Sequence, residues 1–132
     1  MLVNSISATI NGREHRLTVR RDSLAILDAA LGGSTYAVLK KFEAGTWSTA
    51  DVELVLSFAL HGPTPMERII AKLGAPQPTG DRRATAPEIA AAIGKNGPGT
   101  YADLAALTLS AALFGISESD AVWTDEVADA AA

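Results

Sequence analysis

Two histidines are the first place to look for chemistry in this chain, because imidazole can bind metal or move protons near neutral pH. His15 stands beside Arg16, and His61 beside Gly62. Neither has a second histidine or a carboxylate at metal-ligand spacing. His61 falls at the end of a helical stretch, where an imidazole meets the negative helix terminus favourably, so both histidines read as structural. The paired carboxylates are equally unpromising. Asp51 and Glu53 are two apart on a helix and diverge, and Asp125 and Glu126 lie in an acidic stretch with nothing to raise a pKa by burial. Ser57 and Ser110 fall inside helices, away from the strand-to-helix turn that exposes a hydrolase nucleophile. In Gly94-Lys95-Asn96-Gly97-Pro98-Gly99-Thr100 the lysine precedes the second glycine, a proline removes a donor amide, and a helix comes before. A phosphate-binding loop needs the opposite order. The chain has no cysteine, which removes disulfides, thiolate metal sites and a thiol nucleophile. These residues call for no enzyme, no cofactor and no metal.

Binding is the remaining kind of work. The turn His61-Gly62-Pro63-Thr64 between two helical stretches has the length of a helix-turn-helix connection, which keeps a small DNA-binding regulator as an alternative. The second helix offers only Arg68 and Lys72 against Glu67, a thin footprint for phosphates. Net charge is −4 and uneven: all 11 basic residues lie in 1–95, while 96–132 holds six acidic residues and no basic one. Such an end repels nucleic acid and anionic membranes. The opening Met1-Leu2-Val3-Asn4-Ser5 has no basic n-region and no long apolar run, so no secretory leader is expected, and the longest Ala/Leu-rich stretch, Leu104 to Phe114, falls far short of the roughly 20 residues that span a bilayer. A protein partner and a cytoplasmic setting are the expectation.

The elements that must position a binding surface begin with a β-hairpin. Leu2, Ile6, Ala8 and Ile10 alternate with Ser5, Ser7 and Thr9, and after Asn11-Gly12 the alternation resumes with Leu17 and Val19. Asn-Gly suits a type I′ turn, which needs positive φ at both positions. Facing Ile10 with Arg13 then sets Ala8 against His15 and Ile6 against Leu17, leaving the apolar residues on one face. From Asp22 the period changes to that of helices. Asp22 or Ser23 can cap a helix bearing Leu24, Leu27 and Leu31, closed by Gly32-Gly33. A second carries Tyr36, Leu39 and Phe42 up to Gly45. Ser48 caps a third, with Asp51 completing a capping-box pattern, and Val52, Val55, Leu56 and Ala59 as its apolar face. Thr64-Pro65 opens a fourth, striped by Met66, Ile69, Ile70 and Leu73. A short helix from Pro87 to Ile93 follows a Pro/Gly-rich break, and Thr100 caps a last helix whose buried face is Tyr101, Leu104, Leu107, Ala111 and Phe114.

Apolar residues make up 48% of the chain but aromatic residues only 5%, a palette that suits close helix packing over a sheet sandwich. The expected fold is α+β and mostly α: an N-terminal β-hairpin followed by five or six short helices, in one domain overall. Within it, 1–74 forms the hairpin and helical core, 75–99 a Pro/Gly-rich linker with a short helix, 100–116 a C-terminal helix on that core, and 117–132 an acidic tail around Val122 and Trp123.

The stretch from Ile6 to Leu60 resembles the tail assembly chaperones of phages and gene transfer agents. The resemblance rests on Asn11-Gly12-Arg13-Glu14 at a turn, Leu17-Thr18-Val19 in the return strand, a helix ending Ala29-Ala30-Leu31-Gly32, and Phe42-Glu43-Ala44-Gly45-Thr46-Trp47-Ser48 before a helix that starts with Asp51-Val52. Tyr101 to Gly115 looks similar to the family's last helix, whereas the proline-rich insert at 75–87 departs from the family pattern. The resemblance implies a non-enzymatic protein of the bacterial cytoplasm that binds the tape measure protein and gives way to tail tube subunits. A minor structural or adaptor protein of a phage-like tail is the second reading. Aromatic residues dominate many interfaces, which makes Tyr36, Phe42, Trp47 and Trp123 candidate partner-binding residues, with core packing as the alternative for each. Arg82 and Arg83 are candidates for contact with an acidic partner, or are simply solvated.

Overall fold

The computed structural model describes residues 1–78 and 84–126. Its β-hairpin pairs β2 (Ser5–Ile10) with β3 (Arg13–Thr18), in the register Ile6 to Leu17, Ala8 to His15 and Ile10 to Arg13 that the side-chain alternation requires. Asn11 and Gly12 have φ of 51° and 75°, as a type I′ turn demands. Ile6, Ala8, Ile10, Leu17 and Val19 are buried, so one face of the hairpin lies on the helices. The fold is α+β and mostly α, as the sequence implies.

Six helices follow among the described residues: α1 (Leu24–Leu31), α2 (Thr35–Ala44), α3 (Thr49–His61), α4 (Pro65–Lys72), α5 (Pro87–Asn96) and α6 (Gly99–Phe114). Side chains fix most of the corners. The Asp28 carboxylate accepts from the backbone N–H (2.6 Å) and the hydroxyl (2.5 Å) of Thr35, setting α1 against α2. Ser48 and Asp51 close a reciprocal capping box on α3, and Thr64 and Glu67 close another on α4. Ser48→Ala is expected to cost about 1 kcal/mol, read as a lower urea midpoint with an unchanged denaturant slope. Ser57 belongs to packing: its Oγ, buried on α3, accepts from the N–H of Ala86 at 2.9 Å and ties the start of α5 to α3.

The central element is α6. It touches α2, α3, α5 and both hairpin strands. Its buried residues include Tyr101, Leu104, Ala105, Thr108, Leu109 and Ala112, which cover most of its circumference, as expected of a helix enclosed by others. The alanines allow the neighbouring backbones to approach closely.

Several expectations need correction. Thr100 is not the cap of α6. The helix starts at Gly99 after Pro98, and the Thr100 hydroxyl donates back to the Asn96 carbonyl. Helix α5 runs on to Asn96, so Gly94 and Lys95 are helical. Ser23 stands at the N-cap of α1 but its side chain makes no capping hydrogen bond; Arg21–Ser23 form a 3-10 turn, and the Asp22 carboxylate accepts from Arg20 and Ser23. Phe114 is 59% exposed rather than buried, because the last turn of α6 overhangs the core.

The largest correction concerns the acidic end. Residues 117–126 do not form a tail: β4 (Ile116–Ser117) pairs antiparallel with β1 (Leu2–Val3), and β5 (Val122–Thr124) pairs parallel with β2. The sheet order is therefore β3-β2-β5. Trp123 packs on Tyr101 at 5.6 Å between ring centroids, and burial of that ring is the physical reason the segment returns. The chain turns into it at Gly115, where φ is +77° and an added Cβ would sit 3.0 Å from Leu2 Cβ.

Candidate partner-binding surface

The aromatic candidates separate into three places. Phe42 is buried and stacks on the half-buried Trp47 at 6.3 Å, and the far end of the Trp47 ring reaches Gly99 at the start of α6. That pair fills the corner between α2 and α6. Trp123 lies on Tyr101, away from them. Tyr36 is 49% exposed; its ring meets Phe114 edge-on at 6.2 Å, and Lys40 Nζ stands 5.1 Å from its centroid. Hydrogen bonds to Glu43 and then to Tyr36 hold the Lys40 ammonium above its ordinary pKa. Arg82 and Arg83 lie outside the described residues.

The surface that sequence reasoning missed is on α4. Its stripe reads as a core face, yet no residue of the helix is buried. Met66, Ile69 and Leu73 are 63%, 52% and 76% exposed. The pattern of an apolar stripe is the same whether the stripe meets a core or another molecule, so no local signal could have placed it. A helix-turn-helix reader shows polar and basic side chains to a DNA groove; α4 shows a ridge of Met66, Ile69 and Leu73 to water, with only Arg68 and Lys72 as its cations.

Behind α4 runs a groove of about 300 Å³, walled by Arg16, Arg20 and Arg68 and floored by Phe58 and Ala59. Arg68 folds back toward it, with Nη2 at 3.5 Å from where a Cβ on Gly62 would stand. Arg16 donates to Ser5 Oγ, and Arg20 pairs with Asp22 at 3.3 Å.

Both histidines act on Glu88. His61 Nε2 stands 3.3 Å from Glu88 Oε2 and links the end of α3 to α5. Glu88's own backbone N–H, and after it His61 and His15, hold its carboxyl below the ordinary value. Among the described residues, no group of three or more histidine, aspartate or glutamate side chains could hold a metal ion, and no helix is long and apolar enough to cross a membrane.

Fold and surface together define a small, mostly helical protein whose distinctive feature is apolar side chains held in water. Residues 4–115 match the family described as "Phage tail tube protein, GTA-gp10", and the chain belongs to that family. That family is one of phage and gene transfer agent tail proteins. No curated protein and no solved structure matches it.

Proposed function

We propose that this protein is a tail assembly chaperone that binds the tape measure protein in the bacterial cytoplasm and is displaced as tail tube subunits assemble. The observation that carries the reading is α4, a capped two-turn helix whose Met66, Ile69 and Leu73 stay in water. Contiguous exposed apolar surface marks an interaction site. A long helical client is held reversibly by such a modest patch, whereas a permanent interface buries more. The work needs complementary surfaces and no catalytic group.

A second reading, that the chain is itself a minor structural or adaptor component of the tail, is favoured by the family's description as a tail tube protein. Co-expression with the tape measure protein separates the two. A chaperone is expected to co-purify with that client and to be missing from finished particles. Recovery of the chain in purified particles at the copy number of a tube component, with no complex before assembly, would replace the chaperone by the structural component.

A further inference from the structure

The exposed ridge of α4 has an asymmetric border. At about 100° per residue, Met66, Ile69 and Leu73 fall within roughly 60° of one another. On one side Ile70 and Glu67 turn toward the body of the protein and are half-buried. On the other side come Lys72 and then Arg68, and beyond Arg68 the groove shared with Arg16 and Arg20. Among the described residues, Lys72, Arg68 and Arg16 have no carboxylate within ion-pair distance. Reading outward across the face gives an apolar ridge followed by a band of cations on one flank only.

We propose that this face receives an amphipathic helix of a protein partner, whose apolar stripe lies on Met66, Ile69 and Leu73 and whose carboxylates run along one flank over Lys72, Arg68 and Arg16. The proposal rests on the chaperone reading for the identity of the client, and adds where the client sits and what chemistry it presents. Charge complementarity selects the occupant. An anionic flank fits the cationic band, and an apolar stripe fits the ridge, which a phosphate backbone would desolvate to no advantage. Among the described residues, no helix of a second copy combines an exposed apolar stripe with a carboxylate flank. The large apolar side chains exposed elsewhere among the described residues are Met1, Leu2, Tyr36, Phe114 and Val122, and Tyr36 on α2 has a lysine beside it.

The test uses the full chain and two synthetic helical peptides of about 20 residues, with the same leucine stripe and either glutamate or lysine along one flank. Fluorescence anisotropy is expected to show the glutamate peptide binding at least about tenfold tighter than its lysine twin. The double variant R68E/K72E is expected to reverse that preference. Ile69→Asp is expected to abolish binding of both peptides with an unchanged circular dichroism spectrum, since no α4 side chain is buried. Equal binding of the two peptides, or binding that survives Ile69→Asp, would overturn the proposal even where the tape measure protein co-purifies, leaving the chaperone reading intact with its client elsewhere. Binding of a random DNA duplex that is lost in R68E/K72E would also overturn it, by assigning the cations to phosphate.

Discussion

Phe58→Ala is expected to lower the free energy of unfolding by about 3–5 kcal/mol, measured as a fall in the urea midpoint at constant slope. Phe58 is 1% exposed, sits in the middle of the turn of α3 that also buries Val55, Leu56 and Ala59, and forms the floor of the groove under the arginines. Truncation removes buried surface and leaves a cavity that the surrounding helix cannot fully close. Phe114→Ala is the internal control. That ring is largely in water, so its loss is expected to cost about 0.5 kcal/mol or less. Two phenylalanines of the same chain would then differ several-fold in effect, for reasons of location alone. A cost below that of the control at position 58 would contradict the packing described for α3.

Tyr101→Phe is expected to cost about 1–3 kcal/mol and to loosen the C-terminal strand selectively. The ring of Tyr101 is fully buried. Its hydroxyl donates to Asp125 Oδ2 at 2.6 Å and accepts from Asn96 Nδ2 at 2.8 Å. The same carboxylate oxygen accepts from the Asn11 N–H at 2.9 Å. One phenol thus joins α5, α6, the hairpin turn and the segment that follows β5. Without it Asp125 loses one of two donors, and backbone amides of Val122–Thr124 are expected to exchange with solvent faster than those of β3. The hydroxyl also gives stability a pH dependence. Burial, reinforced by the hydrogen bond to Asp125, pushes the Tyr101 pKa up to about 12 from its ordinary value of 10.0. Because the folded value is the higher one, the stabilisation is complete below pH 10 and is lost as the pH rises toward 12. Thermal unfolding across that window is expected to fall less steeply for Tyr101→Phe than for the parent; equal slopes would remove Tyr101 from the alkaline transition.

How much of this was legible in the sequence follows from how local each feature is. The hairpin register was readable because Asn11-Gly12 sets the turn and the alternation of Ile6, Ala8 and Ile10 with serines and threonine sets the face; both signals lie within a few residues of what they determine. The caps at Ser48 and Thr64 were readable for the same reason. Strand β5 was not. Val122-Trp123-Thr124 is three residues among acidic neighbours, and what makes it a strand is the distant edge of β2 together with a ring that lands on Tyr101. The stripe on α4 was visible but its direction was not, since Met66, Ile69 and Leu73 would look identical facing inward. The aromatic candidates show the same limit. Phe42 and Trp47 are legible only as single aromatic candidates; that they stack on each other at the α2–α6 corner depends on where α6 comes to rest.

The order of strands in the small sheet carries a consequence for how the molecule is made. Ser7 on the middle strand pairs with Thr18's strand within moments of its synthesis, but with Val122 only 115 positions later. The hairpin closes in roughly microseconds, while a ribosome adding about 5–20 residues per second needs roughly 6–23 s to deliver the other flank. Throughout that interval β2 lacks its parallel neighbour, and an unpaired strand edge is a template for pairing with another chain, while long-range strand pairing of this kind is intrinsically slow.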